Sequence, residues 1–373
     1  MSTSRRQFLQ TSALTAGSLL ATRTLADAAR PGRAAGKKLL ILGGTGFIGP
    51  ALVELARKNG HEVTIFNRGK TRPGLFPEVE KLVGDRDPNK GEGIQALAGR
   101  KWDVVFDDCG YFPRHVKASA ELMGPNIGHY IYVSSISCYA KNDVEGGNED
   151  AELARLADPT VETMGKSYEN YGGLKVLCEQ AAMAALPGKV TIVRPGYIVG
   201  PDDPTGRFTY WPARMDRGGE VLVPGTPNDP IQVIDVRDLA AWMLLCGERG
   251  TKGVFNACGP EKRMSWGEVI AACQKCASQP TKLHWASVAQ LNALKTDVEG
   301  FPIWAPYEGD SKGFHTWSNA RAVAAGLRFR PIEEIARDTL AWWKSAPEDH
   351  RGKKLAGPAP EKEAEMLKEL AKA

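Results

Sequence analysis

Residues 38–49 read KLLILGGTGFIG, and this stretch decides the fold of the chain. An apolar run at 38–42 predicts a strand, residues 50–59 have helical periodicity, and the glycines between them fit both G-x-x-G-x-x-G and G-x-G-x-x-G. Glycines let a backbone approach a pyrophosphate closely, and the N–H groups at a helix N-terminus favour its negative charge. Because a strand precedes the turn and a helix follows it, the stretch predicts a dinucleotide site. The expected contacts are Gly43, Gly46, Phe47, Ile48 and Gly49.

Strand and helix patterns alternate from this turn to about residue 200. Further strands are predicted at 62–66, 81–85, 103–107, 129–135 and 189–194, and a helix at 172–186. Continuous apolar strands in repeated β-α units predict an α/β fold with a doubly wound parallel sheet covered by helices on both faces. After Pro201 the pattern becomes irregular, with a predicted strand at 231–236, a helix at 238–246 and a strand at 253–257.

These patterns suggest how the chain is divided. We expect a dinucleotide-binding Rossmann domain over 37–200, with returning segments at about 231–258. A smaller C-terminal substrate domain is expected mainly over 201–345, followed by a charged tail helix over 346–373. Residues 301–317 are loop-like and rich in aromatic side chains, which could stack on a sugar or simply pack the small domain.

The end of the second predicted strand bears on the choice of dinucleotide. An acidic residue there would bind the ribose 2′-OH of NAD, whereas Arg68 after the neutral Asn67 suits a 2′-phosphate. We therefore expect NAD(P) binding with NADP favoured; alternatively, Arg68 lies in solvent or stacks on the adenine. Asp85 closes the third strand, where its side chain could accept a hydrogen bond from the adenine amino group.

A second group of residues predicts chemistry. Residues 171–175 read YGGLK, so Tyr171 and Lys175 share one face of a helix, and the ammonium should lower the tyrosine pKa from about 10. Tyr171 could then exchange a proton with a substrate hydroxyl or carbonyl while hydride moves to or from a nicotinamide. Residues 132–139, YVSSISCY, end the fifth strand at the crevice edge. A serine hydroxyl there could donate to the substrate oxygen, or the serines could cap the strand.

Together these segments resemble the extended short-chain dehydrogenase/reductase group, with its NAD-dependent epimerase/dehydratase domain, over roughly residues 38–345. The resemblance rests on GGTGFIG, YVSSISCY, YGGLK and RPGYIVGP at 194–201. It implies that Ser135, Tyr171 and Lys175 form a catalytic triad. It also implies that Pro195, Gly196 and Ile198 lie near the nicotinamide. Residues 318–331 look closer to secreted and isoflavone-reductase-like relatives.

Two departures from the family pattern limit what the resemblance implies. Strand four usually ends in a His/Asn-x-Ala-Ala stretch, but here it ends in DDCG at 107–110. Members that use sugar nucleotides often have Asn where this chain has Tyr197. We therefore expect hydride transfer on a carbinol or carbonyl carbon of a sugar-like or other small polar substrate, by an epimerase, dehydratase or reductase. The alternatives are a net NADPH-dependent carbonyl reductase, a non-catalytic NAD(P)-binding protein, and RNA binding, which is known among some chloroplast relatives.

The N-terminus predicts export rather than structure. Residues 4–9 read SRRQFL, a twin-arginine pattern, and a weakly apolar stretch at 12–20 precedes small residues at 26–28. We assign 1–28 to a signal peptide and 29–36 to a linker, which predicts a periplasmic or secreted enzyme, with a cytoplasmic one as the alternative. No later apolar run approaches the roughly 20 residues of a membrane span. An exported dinucleotide enzyme would have to keep its cofactor and restore its redox state in each cycle.

Charge and cysteine content argue against other classes of function. The net charge is +4, and about half of it lies in the first 28 residues, which gives no electrostatic case for nucleic acid. Seven scattered cysteines do not suggest a disulfide framework. Cys273 and Cys276 form a C-x-x-C with no second pair or His cluster, so no metal site is predicted. The expected partner is a small-molecule substrate, and a homodimer is left open.

Overall fold

The first strand, the glycine turn and the first helix form as the sequence predicts. The computed structural model describes residues 36–294, 300–347 and 355–372, so the predicted signal peptide and all but the last residue of the predicted linker lie outside the described residues. Strand β1 spans Lys38–Leu42, helix α1 spans Ile48–Lys58 and strand β2 spans Glu62–Asn67. The strand-turn-helix context that a dinucleotide site requires is therefore present.

The central sheet has seven strands, all paired in parallel. Its other strands are β3 (Glu80–Val83), β4 (Trp102–Asp107), β5 (Ile127–Val133), β6 (Val190–Pro195) and β11 (Gly253–Ala257). The strand order is β11-β6-β5-β4-β1-β2-β3, so the direction of winding reverses between β1 and β4. Ligands of doubly wound sheets bind at the carboxyl ends of the strands beside this reversal. The predicted α/β class and doubly wound parallel sheet are confirmed.

Helices cover both faces of this sheet. The helices concerned are α1, α2 (Pro113–Met123), α3 (Tyr171–Ala185) and α5 (Val236–Arg249). On β1, Leu39 and Ile41 pack into the core beneath α1 and α5, while Leu40 and Leu42 pack into the core beneath α2 and α3. Side chains alternate along a strand, so a strand buried on both faces reads as an unbroken apolar run. This is why β1 could be predicted without polar alternation.

The C-terminal half builds a second core beside the carboxyl edge of the sheet. Its strands are β7 (Tyr197–Val199), β8 (Gly219–Pro224), β9 (Pro230–Ile231), β10 (Val233–Asp235), β12 (Met264–Ser265) and β13 (Thr281–Ala286). Its helices are α4 (Tyr210–Asp216), α6 (Trp266–Cys276), α7 (Val288–Ala293), α9 (Ile332–Ser345) and α10 (Pro360–Leu370), whereas α8 (Ala320–Ala324) packs against β11 in the core of the central sheet. Trp211 and Trp266 meet edge to face at 4.9 Å in its centre. The described residues from Lys37 onward form one compact unit.

The predicted strand at 231–236 is wrong in one respect, because the chain is interrupted at Gln232. The N–H of Gln232 donates to Nδ1 of His315 at 3.1 Å instead of to a strand. As a result β9 pairs antiparallel with β12, whereas β10 pairs in parallel with β7. Val236 already belongs to α5, whose N-terminus is capped by the carboxylate of Asp235.

Within the predicted tail, the described residues form helix α10 over Pro360–Leu370, and Glu363 anchors it. This buried carboxylate accepts hydrogen bonds from Arg214, Arg217 and the N–H of Leu222. Within the described ranges, no helix is long and apolar enough to cross a membrane.

Candidate active site

The glycine turn shapes the floor of a groove at the carboxyl edge of the sheet. Gly43 has a φ of +120°, a backbone conformation that residues other than glycine rarely adopt. A Cβ at this position would also overlap the carboxylate of Asp108. A Cβ on Gly49 would overlap the backbone of Gly44, so the start of α1 packs directly on the turn. Gly46 instead has no atom within 4 Å of a Cβ position and faces open space. The N-terminus of α1 has no side-chain cap, which leaves its N–H groups for a ligand.

The groove has a volume of about 580 Å³ and contains most of the residues predicted to bind a dinucleotide. The predicted residues that line it are Gly43, Gly46, Phe47, Ile48, Asn67, Arg68, Asp85, Tyr171 and Ile198. Gly49 lies behind the turn, and Ser135, Lys175 and Pro195 line an adjoining cavity. Groove and cavity share Tyr171, Ile48 and Ile198, so they are continuous.

Residues at the end of β2 hold the turn in place. The side-chain amide of Asn67 donates to the carbonyl of Gly43 at 2.9 Å and accepts from the N–H of Gly69 at 2.8 Å. Asn67 therefore supports the groove through the backbone, in addition to lining it. Arg68 is exposed on the groove wall, and Asp85 accepts from the N–H of Asp87 at 2.9 Å.

An arginine bridge at the glycine turn was not foreseen from the sequence. Arg72 donates to the carbonyls of Thr45 at 3.0 Å and Gly46 at 2.6 Å, and its guanidinium contacts the carboxylate of Asp202 at 2.5 Å. Arg72 and Asp202 both have positive φ, of 45° and 71°. The bridge joins the segment after β2 to the segment after β7 at the glycine turn. The two residues are 130 positions apart, and no spacing rule connects them.

The unusual end of β4 holds a buried charge network. Asp107 is fully buried, pairs with Arg86 and accepts from the hydroxyl of Tyr130 at 2.5 Å. The next residue, Asp108, accepts weakly from the N–H of Gly44 at 3.4 Å and lines both the groove and the cavity. Burial, with the nearby charge of Asp107, raises the pKa of Asp108 to about 7. A carboxyl group that titrates near neutrality therefore lies where groove and cavity meet.

The structure brings Ser135, Tyr171 and Lys175 together in a cavity of about 200 Å³. The hydroxyl of Ser135 accepts from the N–H of Ser137 at 3.1 Å and donates to its hydroxyl at 3.1 Å. Burial raises the pKa of Tyr171, while a hydrogen bond with Ser135 and the charge of Arg207 act in the opposite direction. Ser135 therefore caps the short turn after β5 and also faces the tyrosine.

Lys175 makes its hydrogen bonds to backbone carbonyl groups of the cavity wall. Its buried ammonium donates to the carbonyls of Val133 at 2.6 Å and Gly110 at 2.9 Å, and it lies 4.6 Å from the ring centre of Tyr132. Burial lowers the pKa of this lysine. The expected lowering of the Tyr171 pKa is wrong for this arrangement, because burial raises it, and the opposing effects named above come from Ser135 and Arg207.

The neighbouring serine has a structural part. Ser134 donates to the buried carboxylate of Glu179 at 2.5 Å. The same carboxylate pairs with Arg194 through contacts of 2.9 and 2.7 Å, and Arg194 donates to the hydroxyl of Tyr139 at 3.1 Å. This network fastens α3 to β6 and to the segment after β5. Both serines line the cavity, but the hydroxyl proton of Ser134 is already donated to Glu179.

Most aromatic side chains of the predicted loop pack against other residues of the protein, which is the second of the two predicted alternatives. Phe301 and Trp304 are buried in the second core, and Trp317 stacks on Tyr139 at 3.8 Å. Phe314 lines the cavity, where its ring lies 5.6 Å from that of Tyr197. Arg207, Tyr111 and Asp108 also line the cavity and were not assigned there from the sequence. Arg207 comes from the irregular segment after β7, where no periodic pattern marks it.

Cys273 and Cys276 lie one turn apart on α6, as helical neighbours. The thiol of Cys276 donates to the carbonyl of Cys273 at 3.3 Å, and both are free thiols.

Comparison with known proteins places this geometry in context. Residues 39–106 match the model of the NAD dependent epimerase/dehydratase family. The chain is 30% identical to the chloroplast stem-loop binding protein of 41 kDa b from Arabidopsis thaliana, over 65% of this chain and 64% of that protein. It is 25% identical to the epimerase family protein SDR39U1 from Bos taurus, over 65% of this chain and 81% of that protein.

The fold is shared with a UDP-glucuronic acid 4-epimerase from Bacillus cereus solved with NAD. The TM-score is 0.58 at 15% identity, over 86% of this chain and 100% of that one. Residues 39–106 therefore resemble the NAD dependent epimerase/dehydratase family, and the chain as a whole shares the fold of the solved epimerases.

Proposed function

We propose that this protein is an NAD(P)-dependent, epimerase- or dehydratase-like oxidoreductase whose catalytic residues are Ser135, Tyr171 and Lys175. Its substrate is a sugar-like or other small polar compound that reacts at a carbinol or carbonyl carbon. One observation carries the proposal: these three side chains line a cavity that opens into the groove of the glycine turn. A molecule in the cavity and a nicotinamide in the groove would meet at Tyr171, which lines both.

The residues of the groove fit a dinucleotide. The open face of Gly46 and the uncapped N-terminus of α1 suit a pyrophosphate. Arg68, exposed on the groove wall at the end of β2, suits a 2′-phosphate, which supports NADP over NAD. Pro195 and Ile198 border the junction with the cavity and would flank the nicotinamide. When bound, the cofactor supplies or accepts the hydride.

The protein side chains would handle the proton and the geometry. Burial keeps the phenol of Tyr171 protonated, so it can donate to a substrate oxygen that gains charge as a carbonyl is reduced, and take the proton back in the reverse step. The hydroxyl of Ser135 lies beside it and can hold the same oxygen. Lys175 has a third N–H donor beyond its two backbone contacts, and its charge lies close to the reacting groups.

The predicted export signal favours redox-neutral chemistry. Outside the cytoplasm a dinucleotide cannot be replaced freely, so epimerisation, redox-neutral dehydration or a paired oxidation and reduction would suit an exported enzyme better than net reduction. The bridge from Arg72 to Asp202 fastens the glycine turn to the segment after β7, and a turn fixed in this way would favour a retained cofactor. We therefore rank self-recycling chemistry in the periplasm above a net NADPH-dependent reductase, and above cytoplasmic action.

The name of the Arabidopsis relative favours a second candidate, binding of a nucleic-acid stem-loop. The small net charge weighs against it here, as does the assembled cavity with Ser135, Tyr171 and Lys175. A hairpin RNA titrated against the purified protein at physiological salt should bind no more tightly than an unstructured RNA.

The decisive experiment begins with the full chain expressed with its own N-terminus and purified from the periplasmic fraction without added nucleotide. After denaturation we expect roughly one dinucleotide per chain, detected by chromatography. The purified holoprotein is then screened against small polyols and sugar derivatives, with products separated by chromatography to detect redox-neutral turnover and the absorbance of reduced nicotinamide followed to detect net oxidation or reduction. An empty protein that binds NADP weakly and reversibly would favour net reduction, and one that binds no dinucleotide would overturn the proposal.

A further inference from the structure

An unpaired cation lies beside the phenol of Tyr171. Arg207, in the segment between β7 and α4, lines both the reaction cavity and the groove. Its Nε–H donates to the hydroxyl oxygen of Thr205 at 3.0 Å. Among the residues that the structure describes, no carboxylate lies within ion-pair distance of its guanidinium, and none accepts from its terminal nitrogens. An arginine has five N–H donors in a planar fork, so four of them remain for a ligand.

The surroundings of Arg207 hold this fork in place. The guanidinium carbon lies 4.9 Å from the ring centre of Tyr197, in cation–π contact. Tyr197 in turn meets the ring of Phe314 at 5.6 Å. Asp203 fixes the loop by accepting from the N–H of Thr205 at 2.9 Å and from its hydroxyl at 2.6 Å. A guanidinium that is fixed at Nε and stacked on a ring loses little freedom when it binds a planar anion.

We infer that Arg207 binds an anionic group of the substrate, so that the substrate is a small hydroxy or keto compound with a carboxylate or phosphate group. The inference rests on the proposed function, because it assigns the substrate class of the same cavity. A guanidinium fork matches carboxylate and phosphate oxygens with two parallel hydrogen bonds. The cavity, at about 200 Å³, suits a molecule of monosaccharide size rather than a whole nucleotide sugar.

Two sources could supply the anionic oxygens, since Arg207 also lines the groove. The dinucleotide already has the N-terminus of α1 for its pyrophosphate and Arg68 for a 2′-phosphate. Arg207 lies instead with Tyr197 and Phe314 on the cavity wall beside Tyr171. The charge of Arg207 also acts on the pKa of Tyr171. A small substrate whose anionic group binds Arg207 could therefore also reach the phenol of Tyr171.

The test compares probes that share one ring and differ in charge. D-Glucuronate, D-glucose 6-phosphate and neutral D-glucose, together with acetate and inorganic phosphate, are titrated against the full-length protein by calorimetry, with and without bound dinucleotide. We expect a charged probe to bind at least about tenfold more tightly than glucose, and Arg207→Gln to lose that advantage. Arg207→Lys should keep part of it, and the dinucleotide affinity should change less than about threefold in both variants.

Matched variants separate the outcomes. Arg68→Gln should weaken the binding of NADP but leave the affinity for the charged probes unchanged. Arg100→Gln, which alters an exposed ion pair with Glu80, should leave both affinities unchanged. If charged and neutral probes bind the wild-type protein equally, or if Arg207→Gln retains the preference, the inference is overturned. If Arg207→Gln weakens the dinucleotide as much as the charged probes, the anion is a cofactor phosphate and the substrate assignment fails. If the wild-type protein binds no dinucleotide at all, that result counts against the proposed function instead.

Discussion

The groove and the cavity meet at Tyr171, yet they are built in different ways. The floor of the groove comes from one continuous stretch, β1, the glycine turn, α1 and β2, and its shape depends on backbone positions such as Gly43 and Gly49. The cavity collects side chains from Ile48 to Phe314, on segments that are far apart in the chain. The floor of the groove is therefore a local consequence of sequence. The walls of the groove and the cavity, which share Asp108, Tyr171 and Arg207, exist only once the whole fold has formed.

This difference separates binding from chemistry. Substitutions in the groove should change dinucleotide affinity or the stability of the turn, and substitutions in the cavity should change turnover while the dinucleotide still binds.

Tyr171→Phe should abolish most turnover while leaving dinucleotide binding within a factor of a few. Loss of a positioned proton donor typically costs about 10²- to 10⁴-fold in rate. The measurement is the single-turnover rate on the substrate found by the screen, with dinucleotide affinity by fluorescence titration. Tyr111→Phe is the matched control, because its ring also lines groove and cavity but it has no predicted proton-transfer role. Equal loss of rate in both variants would mean that Tyr171 is not the specific donor.

Two glycines of the turn should respond oppositely to the same added methyl group. Gly49→Ala would force a methyl into the backbone of Gly44, and we expect it to lower the free energy of unfolding by about 1–3 kcal/mol. Gly46→Ala adds its methyl to open space on the groove side, so it should keep stability but weaken the dinucleotide. Thermal unfolding and calorimetric titration of both variants check this. A stable Gly49→Ala that binds normally would contradict the close packing of α1 on the turn.

Arg68→Glu should weaken NADP by about tenfold to a hundredfold and NAD far less, because a charge-assisted hydrogen bond to phosphate is replaced by repulsion. Calorimetric titration of both dinucleotides measures the ratio. Asn67→Ala provides the contrast: its amide holds the turn through Gly43 and Gly69, so it should weaken both dinucleotides alike. Equal effects of Arg68→Glu on NADP and NAD would show that Arg68 does not contact the 2′ position.

The sequence predicted the floor of the groove and only part of its walls and of the cavity, for a physical reason. Glycine spacing and apolar runs reflect backbone conformations that are set by neighbouring residues in the sequence. For this reason β1, α1 and the residues of the turn were predictable. Some contacts form only after the sheet has formed, and the spacing of the residues in the sequence does not predict them. Two examples are the ion pairs of Arg72 with Asp202 and of Arg86 with Asp107. The interruption at Gln232 was missed because the side chain that takes its N–H, His315, is 83 residues away. Helix α2 was also not predicted; its Pro113 is at the first turn, where proline is tolerated.

Asp108, at the junction of the two regions, should make dinucleotide binding depend on pH. Its pKa is about 7, so the side chain is neutral below that pH and negatively charged above it. The pyrophosphate of a dinucleotide is also negative, and binding nearby would favour the protonated form. The dissociation constant should therefore rise as pH increases through 7, by at most about tenfold per pH unit because a single proton is involved.

The same shift predicts a pH dependence of stability that Asp108→Asn removes. The pKa of about 7 in the folded protein exceeds the ordinary value of 3.8, so the stabilisation that comes from the neutral form is complete below about pH 3.8 and is lost as pH rises towards 7. Asp108→Asn keeps the size of the side chain and cannot ionise. It should be more stable than the wild-type protein at about pH 8, and its dinucleotide affinity should stay nearly constant between about pH 6 and 8. If the variant keeps the wild-type pH dependence of binding, another group titrates at the junction, and Asp108 does not couple the groove to the cavity.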